Sequence, residues 1–312
     1  MRKKVFKLVV GIFALAAILA MPKHIYAEGD TGGARGITIV PLNFELFANP
    51  GESITDKVRV TNTSDVEGSY QILIQDFAAT GEEGNVSLFE DDQTNHSFSL
   101  AKWIQPEPKN FTLKAKEEKT IYFTINVPKD AEPGGHYASV LVNMGGDVKP
   151  SGGASVASRI GSLILLRVSG NIREEANIES FTAPSYSEKS PIEFDLRVKN
   201  TGNNHIRPKG TIVITNILGQ KVTEVPLDGL NVLPNAIRKI PTTWKPNQML
   251  AGRYTATLVA NYGSSNKQLT STVSFIVFPK WLALVVGTGI ILLAVVISNK
   301  KAVKKLLHKL TK

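Results

Sequence analysis

Apolar and polar positions fall into three regimes along this 312-residue chain. The first is an apolar run from about Leu8 to Met21 behind the basic opening MRKKVFK. At the far end, the 17-residue run Trp281–Ile297 (WLALVVGTGIILLAVVI) carries no charge and is followed by Lys300 and Lys301. Between them lie short stretches of β-branched and aromatic residues, several alternating with period two. Lys57–Thr61, Tyr70–Ile74, Thr120–Val127 and Tyr137–Val142 belong to the first half; Phe194–Lys199, Thr211–Thr215, Arg253–Val259 and Thr272–Phe278 belong to the second. Turn residues such as Pro50-Gly51, Asn62-Thr63-Ser64-Asp65 and Pro133-Gly134-Gly135 separate them. Short strands with punctuation at this spacing predict an all-β chain of sandwich type.

Two landmarks recur in the same order. Val58-Arg-Val-Thr-Asn-Thr63 matches Leu196-Arg-Val-Lys-Asn-Thr201, and Gly135-His-Tyr-Ala-Ser-Val-Leu-Val142 matches Gly252-Arg-Tyr-Thr-Ala-Thr-Leu-Val259. The repeat predicts two tandem immunoglobulin-like sandwiches, residues 28–170 and 171–278. In each Gly-x-Tyr the glycine is expected to allow a tight entry turn. The tyrosine, Tyr137 or Tyr254, is expected to bury its ring and bond nearby backbone, as in a tyrosine corner. Trp244 is expected in or at the edge of a sandwich core.

The landmarks stand 75 residues apart in the first unit (62 to 137) and 54 in the second (200 to 254). Most of the excess is an insertion at 76–103, which carries Glu82, Glu83, Glu90, Asp91 and Asp92 beside Phe89 and Phe98. An insertion on a rigid scaffold is a common place for recognition. The candidate binding residues are therefore Phe89, Glu90, Asp91, Asp92 and Phe98, with the aromatics as apolar anchors. The alternative for the segment is a solvated loop with a small hairpin. The Gly/Ser-rich stretch 144–155 is a second candidate, expected as a long hairpin tip.

The ends fix topology. Residues 1–27 read as a signal peptide ending at Ile25-Tyr26-Ala27. As a helix, Trp281–Ile297 would span about 26 Å at 1.5 Å per residue, and Pro279 suits a first turn that extends it. Residues 279–299 are thus expected to cross the cytoplasmic membrane, whose apolar core is roughly 30 Å thick. Positive-inside asymmetry puts the basic tail 300–312 in the cytoplasm and the bulk of the chain outside.

Charge sorts the same way. The two ends take five and six of the 36 Lys/Arg and none of the 27 Asp/Glu, leaving 25 basic against 27 acidic residues in segment 28–280. The overall excess of +9 belongs to the ends, so no nucleic-acid partner is implied. With no cysteine, the exported part must rely on its own cores. No catalytic motif, phosphate loop or metal-ligand spacing occurs. The expectation is a non-enzyme without cofactor or metal.

The full arrangement resembles the WxL-interacting surface proteins of Gram-positive bacteria. The resemblance is carried by Val58-Arg-Val-Thr-Asn-Thr-Ser-Asp65, Phe111–Lys116 leading to Val127-Pro-Lys129, Gly134-Gly-His-Tyr137, Ser158-Arg-Ile-Gly161 and Leu250-Ala-Gly-Arg-Tyr254. It implies a first domain that binds peptidoglycan, a second that binds a host or partner protein, and no enzymatic activity. Expected partners are thus cell-wall peptidoglycan or surface proteins. The alternative is a chaperone-like or scaffold subunit of a surface or membrane complex.

Overall fold

A computed structural model describes residues 36–89, 97–145, 159–246 and 250–298. The expected signal peptide, the acidic residues Glu90, Asp91 and Asp92, most of the stretch 144–155 and the basic tail lie outside the described residues.

Among the described residues the chain is all-β apart from one short 3-10 turn and one helix. Residues 37–168 form ten strands: β1 (Ile37–Val40), β2 (Asn43–Ala48), β3 (Ser53–Asn62), β4 (Gly68–Thr80), β5 (Asn85–Leu88), β6 (Ile104–Glu107), β7 (Asn110–Leu113), β8 (Glu118–Asn126), β9 (Gly134–Gly145) and β10 (Arg159–Val168). They make two facing sheets, ordered β1-β3-β8-β6 and β2-β10-β9-β4-β5, with β7 also on β4. The alternation read in the sequence is the reason. Val58 and Val60 on β3 and Ile121, Phe123 and Ile125 on β8 face Ile72, Val140, Val142, Ile164 and Leu166 across one core. The rings of Phe44 and Phe123 meet edge-on at 5.2 Å.

Residues 176–277 repeat the plan with eight strands: β11 (Ala176–Thr182), β12 (Tyr186–Ser187), β13 (Ile192–Asn200), β14 (Lys209–Asn216), β15 (Lys221–Pro226), β16 (Ile237–Trp244), β17 (Gly252–Tyr262) and β18 (Lys267–Val277). Their sheets run β11-β13-β16 and β12-β18-β17-β14-β15. This second core holds Trp244, Tyr254 and Phe275 in mutual ring contact at 5.8–6.3 Å.

Helix α1 (Lys280–Ser298) follows β18 across Phe278-Pro279. The side chains of Leu292, Val295 and Val296 lie outside the described ones. Among the described residues no helix is long and apolar enough to cross a membrane. Those of α1 that are described present Leu284, Ile290, Ile291 and Leu293 to the surroundings, each at least 60% exposed.

Candidate functional site

The insertion does not hang free. Its first half is the end of β4, which turns at Gly81–Gly84 and returns as β5, with Thr80 opposite Asn85. The other end is tied down by Asp76. That carboxylate accepts from the backbone N–H groups of Leu100 (2.8 Å) and Ala101 (2.7 Å) and from the Ser99 hydroxyl (2.5 Å). Tyr137 N–H donates to Phe98 O at 2.8 Å, which lays the returning chain along β9.

The turn at 81–84 reaches the second sandwich. Glu82 pairs with Arg197 of β13 at 2.9 Å, Glu83 with Lys239 of β16 at 3.8 Å, and Lys239 N–H donates to Glu82 O at 2.8 Å. Beside this strut, Phe77, Tyr137 and Leu165 on the outer face of the first sandwich pack on Leu233 of the second. An apolar patch on the outside of a sheet would normally meet solvent; here the 233–236 segment covers it.

Phe89 and Phe98, both expected as exposed anchors, are half-buried. Phe98 packs on the Tyr137 ring at 6.1 Å and so belongs partly to the junction. Phe89, whose N–H donates to Asp76 O at 2.9 Å, borders a cavity of about 520 Å³ between insertion and second sandwich. Asp76, Phe77, Phe98, Tyr137 and Asn235 also line it. The structure thus brings Phe89 and Phe98 to one groove. The sequence reading missed the groove's other wall, Leu233–Ile237, although the both-faces-apolar runs Tyr137–Val142 and Leu163–Leu166 already signalled a sheet covered on two sides.

Tyr137 departs from the tyrosine-corner expectation. Its hydroxyl lies 3.3 Å from Nδ1 of His205 in the second sandwich rather than on nearby backbone. Burial pushes the phenol well above its ordinary range, so it keeps its proton. Burial also lowers His205 to about 4; Glu45 and Glu174 oppose this, while Arg167 and Arg207 reinforce it. A second, charged cleft of about 590 Å³ has His205, Arg167, Glu174 and Arg207 in its wall. Arg207 and Asn231 both donate to Glu45 of β2, Asn231 at 2.7 Å.

Asp76 and Glu82, which both line the groove, are engaged, the first by backbone and hydroxyl donors and the second by Arg197, and His136 faces two carbonyls, Ser99 O and Glu132 O, each at 2.9 Å. Among the described residues no group of three or more His, Cys, Asp or Glu could hold a metal ion. The groove offers aromatic faces, one apolar wall and a few fixed polar atoms, which is the chemistry of a binding site.

No curated protein matches the chain in sequence. Among solved structures it is similar to a chain of the chaperone–tip adhesin complex of CFA/I fimbriae: 14% identity, 77% of this chain and 98% of that chain, TM-score 0.40. It is also similar to the class 5 fimbriae chaperone CfaA (14%, 77% and 99%, 0.37) and to the E. coli chaperone DraB (12%, 76% and 96%, 0.35). At these scores the likenesses carry no functional weight. Residues 42–143, covering most of the first sandwich and all of the insertion, match the family described as WxL Interacting Protein, peptidoglycan binding domain. By that match, residues 42–143 are similar to the peptidoglycan binding domain of WxL-interacting proteins.

Proposed function

We propose that the chain is a non-enzymatic, membrane-anchored cell-surface protein whose first sandwich binds cell-wall peptidoglycan. The match of residues 42–143 to a peptidoglycan-binding domain carries the reading. The groove between insertion and second sandwich falls within that matched segment on one side, and its aromatic lining suits the C–H faces of sugar rings. Anchoring rests on Trp281–Ile297 and the lysines beyond it, with 28–280 outside the cell. The exposed aliphatic side chains of α1 need an apolar surrounding, and a bilayer supplies one.

The test is retention of the detergent-solubilised full chain on washed, protein-free peptidoglycan. Phe89→Ala is expected to weaken retention about tenfold, the loss of roughly 1.4 kcal/mol of contact. Excising the insertion is a poorer probe, because Glu82–Gly84 also hold the second sandwich in place. Failure of the unaltered chain to bind peptidoglycan would end the wall-binding reading. Undiminished binding by Phe89→Ala would move the site off the groove.

A further inference from the structure

The most exposed large apolar side chains among the described residues are not on the helix. They are Ile217 (76%) and Leu218 (77%), at the turn joining β14 to β15. Neither is needed to make that turn. Asn216 sets it through its Oδ1, which accepts from the N–H groups of Leu218 and Gln220, both at 3.0 Å. Gly219 supplies the left-handed residue at φ +75°. Polar residues are the usual occupants of a turn built this way. Two aliphatic side chains held rigidly in the open therefore call for a partner.

Strand register says where they point. Asn216 lies opposite Tyr254 of β17, and Tyr254 opposite Phe275 of β18. The turn therefore sits level with the last residues of β18, which end at Val277. Lys280, the start of α1, is three residues further on, about 10 Å along an extended chain. The turn and the helix leave the second sandwich at the same end. Ile276 (46% exposed), Tyr186 (45%) and Trp281 (58%) lie there as well. The Tyr186 hydroxyl donates to Phe278 O at 2.6 Å and holds the exit of β18 in place. Lys189, Lys245, Arg253 and Lys280 surround this end, against Glu188 and Glu193, and Glu188 is already paired with Lys280. Aliphatic tip, amphipathic aromatics and a surplus of cations are what a headgroup layer accommodates.

We infer that the Ile217–Leu218 turn is a lipid-contacting loop that enters the outer bilayer interface beside α1 and seats the second sandwich on the membrane. The inference rests on α1 being the anchor proposed above. A free aliphatic turn beside a single-span anchor would leave the ectodomain swinging about Phe278-Pro279; a turn in the lipid adds a second point of support.

Because the chain has no cysteine, single labelling sites can be introduced cleanly. Ile217→Cys, Leu218→Cys, Trp281→Cys and Ser265→Cys each receive an environment-sensitive fluorophore in the full-length protein. Each is reconstituted into vesicles of phosphatidylcholine and phosphatidylglycerol carrying a nitroxide high on the acyl chain. Ser265 occupies the opposite turn, between β17 and β18, roughly 30 Å away along the ladder. The expected result is loss of emission at 217, 218 and 281, and none at 265. Quenching at 281 with 217 and 218 as bright as 265 would overturn the loop contact and leave the anchor standing. A bright label at 281 would overturn the anchor and the loop contact together.

Discussion

The two sandwiches share their landmarks but do not use them alike. Asn62 and Asn200 close equivalent strands and do the same work. Asn62 is fully buried; its amide donates to the carbonyls of Val66, Leu113 and Lys114, and its Oδ1 accepts from Ser64. Asn200, equally buried, donates to Asn204 and Val232 and accepts from Gly202 N–H. Each asparagine stitches the turn after its strand to a neighbouring segment. Tyr137 and Tyr254, by contrast, have parted. Tyr254 stays in its own core between Trp244 and Phe275, whereas Tyr137 faces outward onto the junction and reaches His205.

Even the glycines of the two Gly-x-Tyr segments serve different ends. A Cβ on Gly135 would lie 1.9 Å from the Tyr137 hydroxyl oxygen, so that glycine makes room for the ring. Gly252 has open space around it but adopts φ +133°, so it is there for the backbone. The comparison teaches that a repeated motif can preserve spacing while one copy is turned over to holding two domains together.

Breaking the shared device should have the largest effect. Asn62→Ala and Asn200→Ala each strand buried carbonyls and are expected to cost about 3 kcal/mol, similar in the two sandwiches, by urea unfolding. A large inequality would deny that the two asparagines are equivalent. The divergent pair should show itself through pH. His205 titrates near 4 when folded and in its ordinary range when unfolded. Below the ordinary value the unfolded chain therefore binds a proton that the folded one refuses, and stability falls as pH drops. Between pH 7 and 5 the loss is expected to be about 1.5 kcal/mol, allowing for partial exposure, and His205→Asn should remove that part of the slope. An unaltered slope in His205→Asn would show that the junction does not hold its histidine neutral. The smallest effect belongs to the strut. Glu82→Gln breaks a half-exposed pair worth about 0.5 kcal/mol, yet it should speed hydrogen exchange at Lys239 N–H. Unchanged exchange there would mean the strut is passive.

The all-β class was legible because one buried face per strand writes itself as alternation, clearest in β13 and β17. The Asn-Thr landmark was legible because its role is local and occurs twice. The junction was not. Glu82 and Arg197 are far apart in sequence, and neither charge announces its partner. Phe98 looked like a surface aromatic because polar residues flank it, and only the placement of its chain along β9 reveals the ring beneath. Glu90, Asp91 and Asp92, read as orienting groups for a ligand, fall outside the described residues, so the groove is defined by its aromatic half.

One feature of the ladders bears on force. The chain leaves the first sandwich through β10, which is flanked by β2 running parallel over Asn43–Ala48 and by β9 running antiparallel along its whole length. It leaves the second through β18, zipped to β17 from Lys267 to Val277. Tension applied along the chain at these two exits would act along the strands, across hydrogen bonds that lie perpendicular to the antiparallel pairs and slanted in the parallel one. Such bonds must give way together in shear rather than one after another by peeling.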